Sequence, residues 1–185
     1  ESWFGLLMAL KAAGLTTDDV TVQEIGYTQQ AALATKKVDA IVGFVNSEPI
    51  QLAAAGISAK VVELGNVPLV SIALVTTSAY ATAHPDVVKA VVKGTVAGMK
   101  AVVDDQAGAF TASTTYVPGL TDSTTATGAK AVLAATAPLF QNTDGTVTGT
   151  LDAAAWDAMS VAMVGAGLLK AAQPASGSMT NAYVS

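Results

Sequence analysis

The chain has 185 residues, 51% of them hydrophobic and 12% charged, a balance that supports a folded core and argues against disorder. Net charge is −5 and all nine basic residues are lysine, so nothing resembles the arginine-containing basic patch that a nucleic-acid partner requires. With no cysteine, disulfides, thiolate metal sites and a cysteine nucleophile are excluded, and one histidine excludes a multi-histidine metal centre. Mean hydropathy is +0.49, yet the most apolar windows, 67–75 and 87–103, are short or interrupted by Lys89, Lys93 and Lys100. A spanning helix needs roughly 20 apolar residues, so no membrane span is expected.

In chain order, Ser2 is placed to N-cap a helix reaching Ala13, with Trp3, Leu6, Leu7 and Leu10 on its apolar face and Gly14 as its stop. Residues 20–25 read as a strand, 28–37 as a helix and 40–45 as a buried strand. A short helix over 47–55 carries Pro49 in its first turn and ends at Gly56, and 61–64 is a further strand. Alternation of this kind predicts an α/β fold with a parallel sheet. Residues 65–68 read as a crossing or hinge, followed by a strand over 70–76. Beyond it the pattern is helical. Pro85 opens a long helix to about Asp105, with Val88, Val92, Val96, Met99 and Val103 on one face and three lysines on another. Helices over 104–116, 122–137 and 152–166 follow, with a Gly/Thr/Asn loop at 141–149 and a Ser/Gly/Ala-rich tail from Gln173 that is expected to be loosely held. The chain opens at Glu1-Ser2 without methionine, and the first helix has no strand before it. Both are read as signs of a preceding segment.

The strongest local signal is the polar loop Asn46-Ser47-Glu48-Pro49 after the apolar run 41–45. In open α/β sheets ligands bind at the carboxyl ends of strands, where backbone groups are left free. Glu48 can therefore accept hydrogen bonds from an amino group of a ligand. It can equally serve as a favourable acid in a first helical turn.

The runs LLMALKAAGLTTDDVTVQEIG, LATKKVDAIVGF and NSEPIQLAAAGI, then VPLVSIALVTTSAYATAHPDVVKAVVKGTVAGMKAVVDD and LDAAAWDAMSVAMVGAGLL, carry a family resemblance. In this order they resemble the solute-binding proteins of ABC importers, in the NMT1/THI5-like and SsuA-like branch. The resemblance implies a type II periplasmic-binding-protein fold, two α/β lobes joined by a hinge. Residues 1–66 would be most of the second lobe, lacking its first strand. Residues 67–185 would be the mainly helical segment that returns to the first lobe. One departure is Lys36, where a glycine usually precedes Val-Asp-Ala.

The same resemblance places Glu1, Ser2 and Trp3 at a cleft-facing strand-to-helix turn, beside the plainer reading of an N-cap and a core tryptophan. Tyr27, Phe44, Asn46, Glu48 and Asn66 complete the expected ligand-binding set, with no catalytic residue, no metal and no cofactor. His84 before Pro85 reads as a helix cap, Trp156 as core with Met159 and Met163, and Asp104-Asp105 as a solvated corner. The implied role is an extracytoplasmic component that hands a small molecule to ABC permease subunits, in the periplasm or outside the cell, with a lipid anchor on a preceding segment as one option. A nitrogen heterocycle or amine, such as a thiamine-pyrimidine precursor, is the expected ligand. Alternatives are an alkanesulfonate or nitrate binder, a THI5-like pyrimidine synthase, which lacks its cysteine motif here, and a sensor domain on the same fold.

Overall fold

A computed structural model describes residues 2–65, 67–70 and 72–184. Its helices are α1 (Ser2–Ala12), α2 (Gln29–Ala34), α3 (Glu48–Ala54), α4 (Ser78–Ala83), α5 (Pro85–Asp104), α6 (Gln106–Ser113), α7 (Ser123–Thr136), α8 (Ala153–Gly165) and α9 (Ala175–Ser178). The chain divides into two compact units, one of Glu1–Phe44, Ile57–Ala73 and Leu151–Thr180, the other of Val45–Gly56, Leu74–Thr150 and Asn181–Ser185.

In the first unit α1 buries Phe4 and Leu10 while Trp3 stays 44% exposed, so Leu10 faces inward as expected and Trp3 does not. Gly5 is buried as well. It lies against two other segments, and a Cβ there would sit 3.4 Å from Leu64 Cδ1 and 3.6 Å from Val42 Cγ1. Ser2 is the first helical residue rather than the residue before the helix. A single 3₁₀ turn, Thr17–Asp19, follows, closed by a capping box in which Thr16 and Asp19 each bond the other's backbone or hydroxyl. These bonds, the Thr16 N–H first and then its hydroxyl, hold the Asp19 carboxyl below its ordinary value.

Helix α2 ends where Lys36 adopts φ 56°. Lys36 N–H donates to Leu33 O at 3.0 Å and Lys37 N–H to Ala32 O at 2.9 Å, the paired bonds of a Schellman ending. A lysine thus occupies the left-handed position that glycine fills at no steric cost.

The four expected strands require correction. Residues 20–25, 40–44, 61–64 and the described part of 70–76 are irregular, residue 45 lies in a turn, and among the described residues none forms a ladder with another. A helix closes its hydrogen bonds within one segment, whereas a strand exists only when a second segment lies beside it. The Val70 amide shows the difference, since it donates to Met159 Sδ on α8 at 3.3 Å rather than to a neighbouring backbone carbonyl. Val22, Val61 and Val62 in the first unit, and Leu74 and Val75 in the second, are exposed.

The C-terminal region is also a correction, because it is fastened rather than loose. Ser160, only 4% exposed, accepts from Gln173 N–H at 2.6 Å. Asp157 Oδ1 accepts from Ala175 N–H at 2.6 Å, and Trp156 Nε1 donates to Ser178 Oγ at 2.8 Å. Trp156 is therefore half-buried with its polar edge engaged, not a core residue.

In the second unit α5 packs against α4, α6 and the 3₁₀ turn Ala137–Phe140, and α7 packs against α3 and α6. Val88, Val92, Val96, Met99 and Val103 are half-buried and Lys89, Lys93 and Lys100 exposed, as the periodicity predicts. Helix α4 was not expected. Thr77 caps it by accepting from Tyr80 N–H at 3.1 Å. His84 sits at the start of α5 without a side-chain cap bond, its ring 4.7 Å from that of Tyr80. Asp105, Asp122 and Asp152 cap α6, α7 and α8 by accepting backbone N–H groups, so half of the Asp104-Asp105 pair is a cap. Asp104 pairs with Lys100 at 3.1 Å. Lys130 Nζ lies 4.8 Å from the Phe110 ring centre and links α7 to α6.

Candidate functional site

The expected site residues fall in both units, and each group is built locally. In the first unit Ser2 and Trp3 open α1, both exposed. Tyr27 follows Gly26 in a turn and its ring is fully exposed. The turn is fixed just after it, where Thr28 donates through its N–H and its hydroxyl to Ile25 O, at 3.3 and 2.6 Å. Phe44 is exposed at the end of its segment. The unit therefore presents three exposed aromatic side chains, a residue type suited to stacking on a flat ligand.

In the second unit Asn46, Ser47 and Glu48 form the turn into α3. Asn46 Nδ2 donates to Thr136 Oγ1 at 2.8 Å, and that hydroxyl donates to Val132 O at 2.7 Å. The last turn of α7 thereby anchors the loop. Ser47 stands at the N-cap position without a side-chain cap bond, and its hydroxyl accepts instead from Gln51 Nε2 at 2.9 Å. Glu48 is the first residue of α3, half-buried, with Pro49 next to it. Thr136 and Gln51, which hold this loop in shape, were missed in the sequence. Thr136 lies 90 residues from Asn46 and carries no local signal. Glu1 and Asn66 lie outside the described residues.

Among the described residues no three His, Asp or Glu side chains gather as a metal site, and no helix is long and apolar enough to cross a membrane.

Compared with known proteins, residues 5–109 match the family model described as NMT1/THI5 like. The chain belongs to the NMT1/THI5-like family. This is a periplasmic-binding-protein-like family of solute-binding proteins. The chain is also similar to the riboflavin-binding protein RibY of Chloroflexus aurantiacus, with 32% identity over 189 aligned residues that cover 100% of this chain and 53% of the relative. It thus spans about half the length of the curated relative it matches. No solved structure matches it. Within the family match lie Tyr27, Phe44, Asn46 and Glu48, whereas Ser2 and Trp3 precede it.

Proposed function

We propose that this chain is part of an extracytoplasmic solute-binding protein that delivers a small nitrogen heterocycle or amine to an ABC permease. The observation that carries the reading is membership of the NMT1/THI5-like family, together with similarity along the whole chain to a riboflavin-binding relative. A flavin-class heterocycle is accordingly the first ligand to test, ahead of a thiamine-pyrimidine precursor. Trp3, Tyr27 and Phe44 supply exposed rings for stacking, and Glu48 supplies a hydrogen-bond acceptor for ring or amino N–H groups. Within this chain no arginine is present to form a bidentate clamp on a sulfonate or nitrate ligand. In this reading residues 1–66 form most of one lobe and 67–185 return to the other. The ligand stabilises the closed state through its higher affinity for it, and no chemical step is involved.

A thermal-shift panel tests the proposal with riboflavin, a hydroxymethylpyrimidine and an alkanesulfonate. A ligand present at 100-fold excess over Kd stabilises by about 2.7 kcal/mol, which for a chain of this size raises Tm by roughly 5–10 °C. A shift with the sulfonate alone overturns the ligand class. Glu48→Gln is expected to weaken riboflavin binding at least tenfold while leaving the ligand-free melt in place, and equal affinity would return Glu48 to a purely helix-terminal role.

A further inference from the structure

We propose that a groove over α5 binds a free, monomeric amphiphile with one carboxylate head and an unbranched apolar tail. The groove lies within the second unit, is half open to solvent and has a volume of about 400 Å³, inside the usual range for small-molecule sites. Its apolar lining comes from Val92 and Val96 of α5, Val147 of the loop before α8 and Val184 near the C-terminus.

The groove has a built wall. Asn142 N–H donates to Thr146 O at 2.8 Å, Thr146 N–H to Asp144 Oδ1 at 2.9 Å, and Asn142 Nδ2 to Thr146 and Thr148 hydroxyls at 3.0 and 3.2 Å. At Gly149, with φ 71°, the backbone presses so closely on Val96 that any Cβ would collide with its Cγ2. The loop is therefore fixed against the helix at the groove's edge.

The polar groups on the groove select the head group by charge. Lys93 and Lys100 line it without a carboxylate among the lining residues, in a chain whose net charge is −5. Lys100 is shared with Asp104 at 3.1 Å in an exposed ion pair, a bond weak enough to exchange for a ligand carboxylate. Thr148 Oγ1 accepts from Asn142 Nδ2 and from Thr150 N–H, which orients its own O–H as a third donor. Two ammonium groups and a hydroxyl over an apolar floor match an anionic head on a hydrocarbon tail. The groove shares no lining residue with Glu48 or the aromatic residues of the proposed solute reading.

Calorimetric titration of the full chain with decanoate, decylammonium and decanol tests this site. Decanoate is expected to bind at least tenfold more tightly than either analogue, and Lys93→Gln with Lys100→Gln to remove that preference. Val147→Glu, which adds a carboxylate to the groove, is expected to abolish decanoate binding and favour decylammonium. Equal binding of all three tails, unchanged decanoate affinity in the lysine variant, or binding only to phosphatidylglycerol vesicles would each overturn the proposal. A riboflavin titration unaffected by the lysine substitutions separates failure here from failure of the solute reading.

Discussion

Helix α8 and the segments 20–25 and 61–64 belong to the same compact unit and each has apolar residues at half or more of its positions, yet they end in opposite states. Asp152 caps the start of α8, its interior bonds close within the segment, and three of its side chains fasten the chain that follows. The two segments contribute side chains such as Leu64 against α1, while among the described residues their backbones lack ladder partners. Local sequence is sufficient for the first state. The second waits on another segment, because strand bonds always point outward to a neighbour.

Hydrogen exchange gives the largest expected contrast. Amides in 20–25 and 61–64 should exchange about 100-fold or more faster than those in the middle of α8, as expected for segments outside a cooperative hydrogen-bonded unit. Comparable protection would mean that these segments are paired strands, and would dissolve the contrast. Next comes the fastening of the C-terminal segment. Ser160→Ala leaves the Gln173 amide without its acceptor beside a buried position, which should cost about 2 kcal/mol and lower Tm by roughly 4–8 °C. An unchanged melt would show the segment to be loose, as its composition suggests.

A smaller effect, of opposite sign, is expected at the end of α2. Lys36→Gly removes a left-handed L-residue that costs about 1–2 kcal/mol, offset by the greater freedom of glycine in the unfolded chain, about 0.4–1 kcal/mol. A rise in Tm of roughly 1–4 °C should follow, and a fall would show that the lysine side chain contributes more than its backbone strain. The smallest effect is one of pH. Asp19, Asp122 and Asp144 are held below the ordinary carboxylate value, Asp19 by Thr16, Asp122 chiefly by the Thr125 N–H, and Asp144 chiefly by the Thr146 hydroxyl. A lowered folded-state value means that each contributes stability above its unfolded value, and that this is lost as pH falls below about 4. In Asp122→Asn the acid-side decline in Tm should be shallower than in the parent chain.

Most of the longer helices were legible to within a residue or two, but α2 and α6 each end three residues before the expected 37 and 116, and α9 was not expected. Asp122 and Asp152 mark their helices, Pro85 opens α5, and the spacing of Val88, Val92, Val96, Met99 and Val103 identifies its half-buried face. Helix α4 was missed because it is six residues long and carries no apolar period. For the candidate site, the Asn46–Glu48 turn and the start of α3 were readable from Pro49 and Gly56. What shapes that turn, Asn46 bound to Thr136, was not, since the two lie 90 residues apart.

By itself the sequence determined where most of the longer helices start, the absence of cysteine and arginine from this chain and the family, all of which follow from residue identity and short spacing. Only the tertiary structure decided that Phe4 rather than Trp3 faces inward. It also showed that α8 holds down residues 173–178 and that the wall at Gly149 closes on Val96. These depend on which distant atoms meet, and a pattern of period two or 3.6 reports only the face a residue occupies.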